Sequence, residues 1–369
     1  MLRAVVAAPT PIRRIPDASR SENDGPVESG AARKPSSSPP PGGEAPDSGA
    51  AAHKPSSSPP PDSPVPVIPE SPEGSVLWRV RGMIREMRPH QWVKNLFVLA
   101  PVVFAKELTS PKLITKALGA FGIFCLLAGA VYTLNDLVDA PADRVHPVKR
   151  FRPIASGRVP VPLAKAMIVV LVIVALGGAL LGPLPFFFVA LAYFVQNVAY
   201  SFALKKVPYV DVGFIALGFV LRVLAGGFAT QTPVSGYLIA CTALLSLFLG
   251  FGKRRHELAS ANATKQRAAL EAYSPRTLTV ALAVTGCATV ANYLAYTLDA
   301  KTMAFFKTPW LWVTTIHALF GVVRFLQLVV ARPKSESPTQ EMLRDVPFVL
   351  NFVLWVIEVI ALLYNVRLQ

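Results

Sequence analysis

The sequence predicts an all-α polytopic membrane protein, and three observations carry that prediction. Of the 369 residues, 52% are hydrophobic and only 16% charged, with a mean hydropathy of +0.44, too apolar for an ordinary water-soluble domain. From residue 93 onward, apolar runs of about 20 residues recur, each long enough to cross the hydrocarbon core as a helix. Lys and Arg gather in alternate connecting segments, which is how a polytopic chain sets its orientation.

The chain divides by composition. Residues 1–75 hold 17 of the 34 prolines, with 7 basic and 9 acidic side chains, so the rest of the chain carries 30 basic against 13 acidic residues. This tail repeats the octamer KPSSSPPP at Lys34–Pro41 and Lys54–Pro61. It lacks the apolar surface needed to offset ordering, and a disordered Pro/Ser-rich tail is expected. Met1–Ala8 is too short an apolar stretch, and too soon followed by Pro9, Pro11, Arg13 and Arg14, to read as a signal peptide.

Over residues 76–90, Val76, Leu77, Val80, Met83, Ile84 and Met87 recur at helical spacing, with Arg79, Arg81, Arg85 and Arg88 among the polar positions and Pro89 closing the run. An amphipathic helix on an anionic leaflet is expected; a plain juxtamembrane linker is the simpler alternative. Residues 91–369 then form the transmembrane domain. Nine spans are predicted, at about 93–110, 113–139, 161–181, 184–204, 209–229, 234–252, 277–298, 309–330 and 346–366. The basic segments place the N-terminus and a cytosol-facing polar cavity on the cytoplasmic side of a bacterial-type cytoplasmic membrane, with the C-terminus outside.

Charge and cysteines narrow the partners. The cations lie between apolar runs, not on a soluble face, so anionic headgroups and anionic substrates are expected and nucleic acid is not. Cys125, Cys241 and Cys287 fall inside apolar runs without metal-ligand spacing and read as small core residues.

Chemistry concentrates where the second span ends. Asp136, Asp139 and Asp143 are three and four residues apart, so on a helix they share a face, next to Asn135. Carboxylates at the partly negative end of a helix repel one another unless a cation sits among them, and oxygen-only ligation points to Mg²⁺ with a diphosphate. Pro141 should bend or end the helix and leave Asp143 on a loop. The alternative is a solvated helix end neutralised by Arg144, Lys149 and Arg150. Deeper in the membrane, Arg222 is expected to face the cavity, about 16 Å past Asp211 along a helix. Gly226 and Gly227 are expected to permit close helix approach.

Asn135-Asp136-xx-Asp139-xxx-Asp143 resembles the NDxxDxxxD motif of the UbiA-type intramembrane prenyltransferase superfamily. A narrower resemblance rests on four further stretches: His146-Pro-x-Lys149-Arg150-x-Arg152-Pro, Arg88-Pro-x-Gln91-Trp92-x-Lys94-Asn95, Tyr200 to Asp211, and Lys253-Arg254-Arg255-x-Glu257. These are similar to the decaprenyl-phosphate phosphoribosyltransferase branch. The resemblance implies a Mg²⁺-dependent transfer of 5-phosphoribose from phosphoribosyl diphosphate to a polyprenyl phosphate for cell-envelope pentose donors, with release of diphosphate. It implies metal ligation by Asp136, Asp139 and Asp143, with a diphosphate-metal or ribose contact at Asp211. Phosphate contacts are expected from Asn135, His146, Lys149, Arg150, Arg152, Lys205, Arg222, Lys253, Arg254 and Arg255. Many superfamily members carry a second DxxxD motif, whereas here Asp211 is followed four residues on by Ile215. Two other readings stay open: transfer of a polyprenyl chain from its diphosphate to an aromatic or other acceptor, and a polytopic transporter.

Overall fold

The computed structural model describes residues 75–259, 273–331, 341–342 and 344–363. The expected disordered tail falls, except for Ser75, outside the described residues.

Helix α1, Val76–Glu86, opens on Ser75, whose Oγ accepts the amide hydrogen of Trp78 at 3.1 Å. Val76, Leu77, Val80 and Ile84 are exposed, while Gly82 and Glu86 are buried. The chain then departs from expectation, because residues 93–110 are not one spanning helix. Pro89–Leu99 winds as a 3-10 segment, Ala100–Phe104 forms the short α2, and a turn leads to α3 at Pro111. Two causes are visible. Pro89 and Pro101 each remove an amide donor, and Asn95, fully buried, spends its amide on Cys125 and Arg222. The segment wedges between α3 and α6 (Val210–Thr230), where its backbone passes so close that a Cβ on Gly226 would stand 1.9 Å from the Val98 carbonyl oxygen. The close approach expected of Gly226 is thus made with the 3-10 segment. Gly227 meets Val234, whose Cγ2 would lie 2.2 Å from an added Cβ.

Helix α3 runs without interruption from Pro111 to Arg144, through Pro141. The expected break does not occur because Pro141 is exposed one turn from the helix end, while its neighbour Ala140 packs in a buried cluster with Ile154, Val159 and Ala164. Asp143 therefore projects from helix, not loop. The rest follows as α4 (Val161–Leu180), α5 (Leu184–Phe202), α6, α7 (Gly236–Ala259), α8 (Pro275–Leu298), α9 (Ala300–Phe306), α10 (Thr314–Ala331) and α11 (Val346–Leu363). Among the described residues, seven helices are long and apolar enough to cross a membrane: α3 to α8, and Trp310–Val329, which takes in most of α10. Helix α11 is apolar but shorter.

Helices α3 and α6 are the most buried of these. Phe124 and Leu127 of α3 pack against Ala175, Ala179, Phe186, Ala190 and Tyr193 of α4 and α5, with Ala225 of α6 and Val98; small residues let the backbones close up. A second core joins Phe248, Leu282, Val322 and Phe325 of α7, α8 and α10. Apolar side chains also cover the outside, with Leu181 92% and Ile173 66% exposed. Such a surface needs lipid against it, and the chain is an integral membrane protein.

Candidate active site

The site is built where α3 ends. Residues seven apart lie two turns apart on one face of a helix, and Asp136 and Asp143 are each only 4% exposed there. One guanidinium spans them: Arg152 Nη1 lies 3.1 Å from Asp136 Oδ1 and 2.6 Å from Asp143 Oδ2. A second reaches in from the other side, with Arg88 Nη2 donating to both oxygens of Asp136 at 2.6 and 2.7 Å. Arg88 takes up the left-handed backbone region (φ 49°) just before Pro89, a costly conformation for a non-glycine residue. It turns the chain from α1 into the 3-10 segment, and its guanidinium also lies 5.4 Å from the centre of the Tyr132 ring.

Asp139 stands apart from this pair. Its side chain is 43% exposed and accepts from Lys205 Nζ at 2.8 Å, which ties the α5–α6 connection to α3. Asn135, half-buried, adjoins Asp136. Among the described residues, no three His, Cys, Asp or Glu side chains converge closely enough to hold a metal. The donor set nevertheless suits a hard divalent cation: a single positive group already rests between two buried carboxylates, and all the available donors are oxygens. Asp136 and Asp143 would hold it, with Arg152 moving aside.

A further carboxyl joins them. Glu86 of α1 is 1% exposed; its Oε1 accepts the Ile154 amide at 2.9 Å, and its buried Oε2 has no hydrogen-bond partner among the described residues. Burial and the adjacent Asp136 carboxylate push its pKa up to about 8. Sequence reasoning missed it. The signal was a lone acid among four arginines, one turn from Gly82 and Met83.

Glu86, Arg88, Asp136, Lys149 and Arg152 line a cavity of about 330 Å³. Lys149 is exposed at its rim, and the Arg150 guanidinium lies 4.9 Å from the Phe151 ring centre. His146 Nδ1 accepts the amides of Val148 and Lys149, each at 3.2 Å, so that nitrogen caps the turn carrying these cations.

Asp211, Arg254 and Tyr273 form a separate buried unit. Asp211 is fully buried, with Arg254 Nε 2.8 Å from its Oδ2 and the Tyr273 hydroxyl donating to its Oδ1 at 2.6 Å. The Tyr209 amide donates to that same hydroxyl, and Arg254 also pairs with Glu257. Burial and the bond to Asp211 push the Tyr273 phenol up. The unit ties α6, α7 and the start of α8 together. Among the described residues it shares no hydrogen bond or ion pair with Asp136 or Asp143. Lys253 is exposed, near Glu257 at 3.9 Å, and Arg255 is half-buried. Arg222, 6% exposed, meets no acid among the described residues; it donates to Asn95 Oδ1 (2.8 Å), the Gly218 carbonyl (2.9 Å) and the Tyr193 hydroxyl (2.7 Å).

Comparison with known proteins agrees with this architecture. A decaprenyl-phosphate phosphoribosyltransferase of Corynebacterium glutamicum is 32% identical over 292 residues, 77% of this chain and 87% of that protein. One of Mycobacterium tuberculosis is 35% identical over 286 residues, 76% of this chain and 93% of its own. In three dimensions the chain is similar to a UbiA homolog from Archaeoglobus fulgidus bound to DMAPP and Mg²⁺, with a TM-score of 0.57 at 19% identity, covering 77% of this chain and 99% of that one. This likeness shows a shared fold. Residues 95–354 match the UbiA prenyltransferase family, and the protein is a membrane enzyme that belongs to it.

Proposed function

We propose that the protein transfers the 5-phosphoribosyl group of phosphoribosyl diphosphate to a polyprenyl phosphate and releases diphosphate. The observation that carries this reading is the similarity, along about three quarters of the chain, to proteins named decaprenyl-phosphate phosphoribosyltransferase. The site chemistry supports it. A phosphate oxygen of the lipid forms the new bond to the anomeric carbon, and the bond from that carbon to diphosphate breaks with its electron pair leaving on diphosphate. The attacking phosphate is already ionised near neutral pH, so no strong general base is required.

The demand falls on charge. Arg88, Lys149 and Arg152 line the cavity beside Asp136, placed to meet the diphosphate as negative charge builds on it. A divalent cation held by Asp136 and Asp143, with Asp139 free to swing from Lys205, would neutralise the same leaving group. The cavity lies at the end of the bundle that carries the basic segments, in keeping with a cytoplasmic site, a cytoplasmic N-terminus and a role in making cell-envelope pentose donors.

The test uses purified protein in detergent with Mg²⁺, polyprenyl phosphate and ribose-labelled phosphoribosyl diphosphate. Label entering the organic phase, dependent on both lipid and metal, is the expected result. No transfer, with turnover appearing instead on a polyprenyl diphosphate plus an aromatic acceptor, would overturn the proposal.

A further inference from the structure

Several cations of the site answer to an acid. Arg88 and Arg152 pair with Asp136, Arg152 also with Asp143, Lys205 with Asp139 and Arg254 with Asp211. Two do not. Arg222 is buried and its partners among the described residues are all neutral, its guanidinium also resting on the rings of Tyr193 and Phe219 at 4.7 and 5.3 Å. Its hydrogen bonds are made, but its charge is not balanced, and an unbalanced cation inside a membrane protein is expensive.

Lys94 is the second. In a 3-10 segment, residues three apart share a face. Asn95 and Val98 face inward and are fully buried, while Val93 and Leu96 face outward at 62% and 49% exposed. Lys94 lies on the third face, shared with Phe97, whose ring meets Phe219 of α6 at 5.0 Å. Its side chain is accessible, and the neighbouring cations Lys253, Arg222 and Arg88 disfavour its charged form. Phe219, against which Phe97 of this face packs, is the ring that Arg222 rests on at 5.3 Å, so the face of Lys94 turns toward α6 and not toward lipid. Among the described residues it makes no hydrogen bond or ion pair. Asn95, the next residue, is the one that holds Arg222.

We infer that Lys94 and Arg222 form a subsite for a phosphate monoester dianion, distinct from the Asp136–Asp143 cluster. Lys94 contacts the phosphate, and Arg222, fixed by Asn95 and Tyr193, supplies charge behind it. The inference deepens the proposed reaction and rests on it. Two groups in that reaction have this chemistry, the 5-phosphate of the ribose and the phosphate of the lipid.

Lys94→Gln in the full chain tests it, with Lys94→Arg as the conservative partner. Equilibrium binding of ribose 5-phosphate, a short-chain polyprenyl phosphate and Mg²⁺-diphosphate is measured alongside transfer and thermal unfolding. Removing a like charge relieves repulsion, so Lys94→Gln should unfold no lower than wild type. Affinity for one phosphate monoester should fall about 10- to 100-fold, diphosphate affinity should stay within about twofold, and Lys94→Arg should recover much of the loss. Loss confined to ribose 5-phosphate assigns the subsite to the sugar; loss confined to the lipid assigns it to the acceptor. Both monoester affinities unchanged, or only diphosphate affinity lost, overturns the subsite while transfer by the wild type leaves the proposed function standing. Wild-type monoester binding that Lys94→Gln abolishes, without phosphoribosyl transfer, upholds the subsite and overturns the function. A wild type that binds neither monoester overturns both.

Discussion

Arg88 holds Asp136 by both carboxylate oxygens, at 2.6 and 2.7 Å, from a left-handed backbone position just ahead of Pro89. This contact joins the amphipathic helix to the acid motif of α3, and Arg88 lies outside the segment that matches the family. Replacing Asp136 with Asn keeps the shape and removes the charge that Arg88 pairs with and that the proposed divalent cation would need. Turnover should fall at least about 100-fold, and Mn²⁺ binding followed by electron paramagnetic resonance should weaken with it. Retention of turnover within about fivefold would overturn the proposed metal role of Asp136.

Glu86 makes stability depend on pH. Its carboxyl is raised from 4.5 to about 8 by burial and by Asp136. Below about 4.5 both folded and unfolded chains hold this proton; between there and about 8 only the folded chain does. Stability from this group is therefore fully present in acid and is lost as pH rises through 8. The Tm of the wild type should fall between pH 5 and 9 more steeply than that of Glu86→Gln, which keeps an acceptor for the Ile154 amide. Parallel curves would show that Glu86 is ionised throughout.

The acid motif was legible because helical spacing alone places Asp136 and Asp143 on one face. Its partners were not, since Arg152 returns from a loop and Arg88 and Glu86 from a helix whose pattern reads simply as lipid-facing. The expectation of one continuous first helix fails for a similar reason. Hydropathy averages over Pro89, Lys94, Asn95 and Pro101, whereas the backbone responds to each one. Pro141 misled in the opposite sense: its lost hydrogen bond is local, and the cluster of Ala140, Ile154, Val159 and Ala164 keeps the helix intact.

The sealed position of Asp211 separates stability from chemistry. Tyr273→Phe deletes the hydroxyl that donates to Asp211 and accepts from the Tyr209 amide; the buried Asp211 keeps the Val212 amide on the same oxygen but loses a donor, at a cost of about 1–3 kcal/mol. Tm should drop by several degrees, while turnover per folded molecule stays within about threefold. Asp211→Asn should likewise lose activity in step with folded protein, measured by size-exclusion recovery and specific activity. A fully folded Asp211→Asn chain without turnover would instead place Asp211 on the substrate.

Gly226 tests how the 3-10 segment is seated. A Cβ there would stand 1.9 Å from the Val98 carbonyl oxygen and 2.8 Å from its carbon, so backbone must yield where a flexible side chain would have bent away. Gly226→Ala also gains helix propensity of up to about 1 kcal/mol, which pulls the other way. The clash is the larger effect, since forcing extra volume into a packed interior typically costs about 1–3 kcal/mol and more where backbone must move. Displacing Val98 shifts Asn95 one turn back, and with it the group that fixes Arg222. The Ala variant should therefore lose both Tm and monoester affinity, whereas Gly236→Ala, with nothing within 4 Å of an added Cβ, should lose neither. Equal behaviour of the two variants in thermal unfolding would show that the 3-10 segment is not pressed against α6.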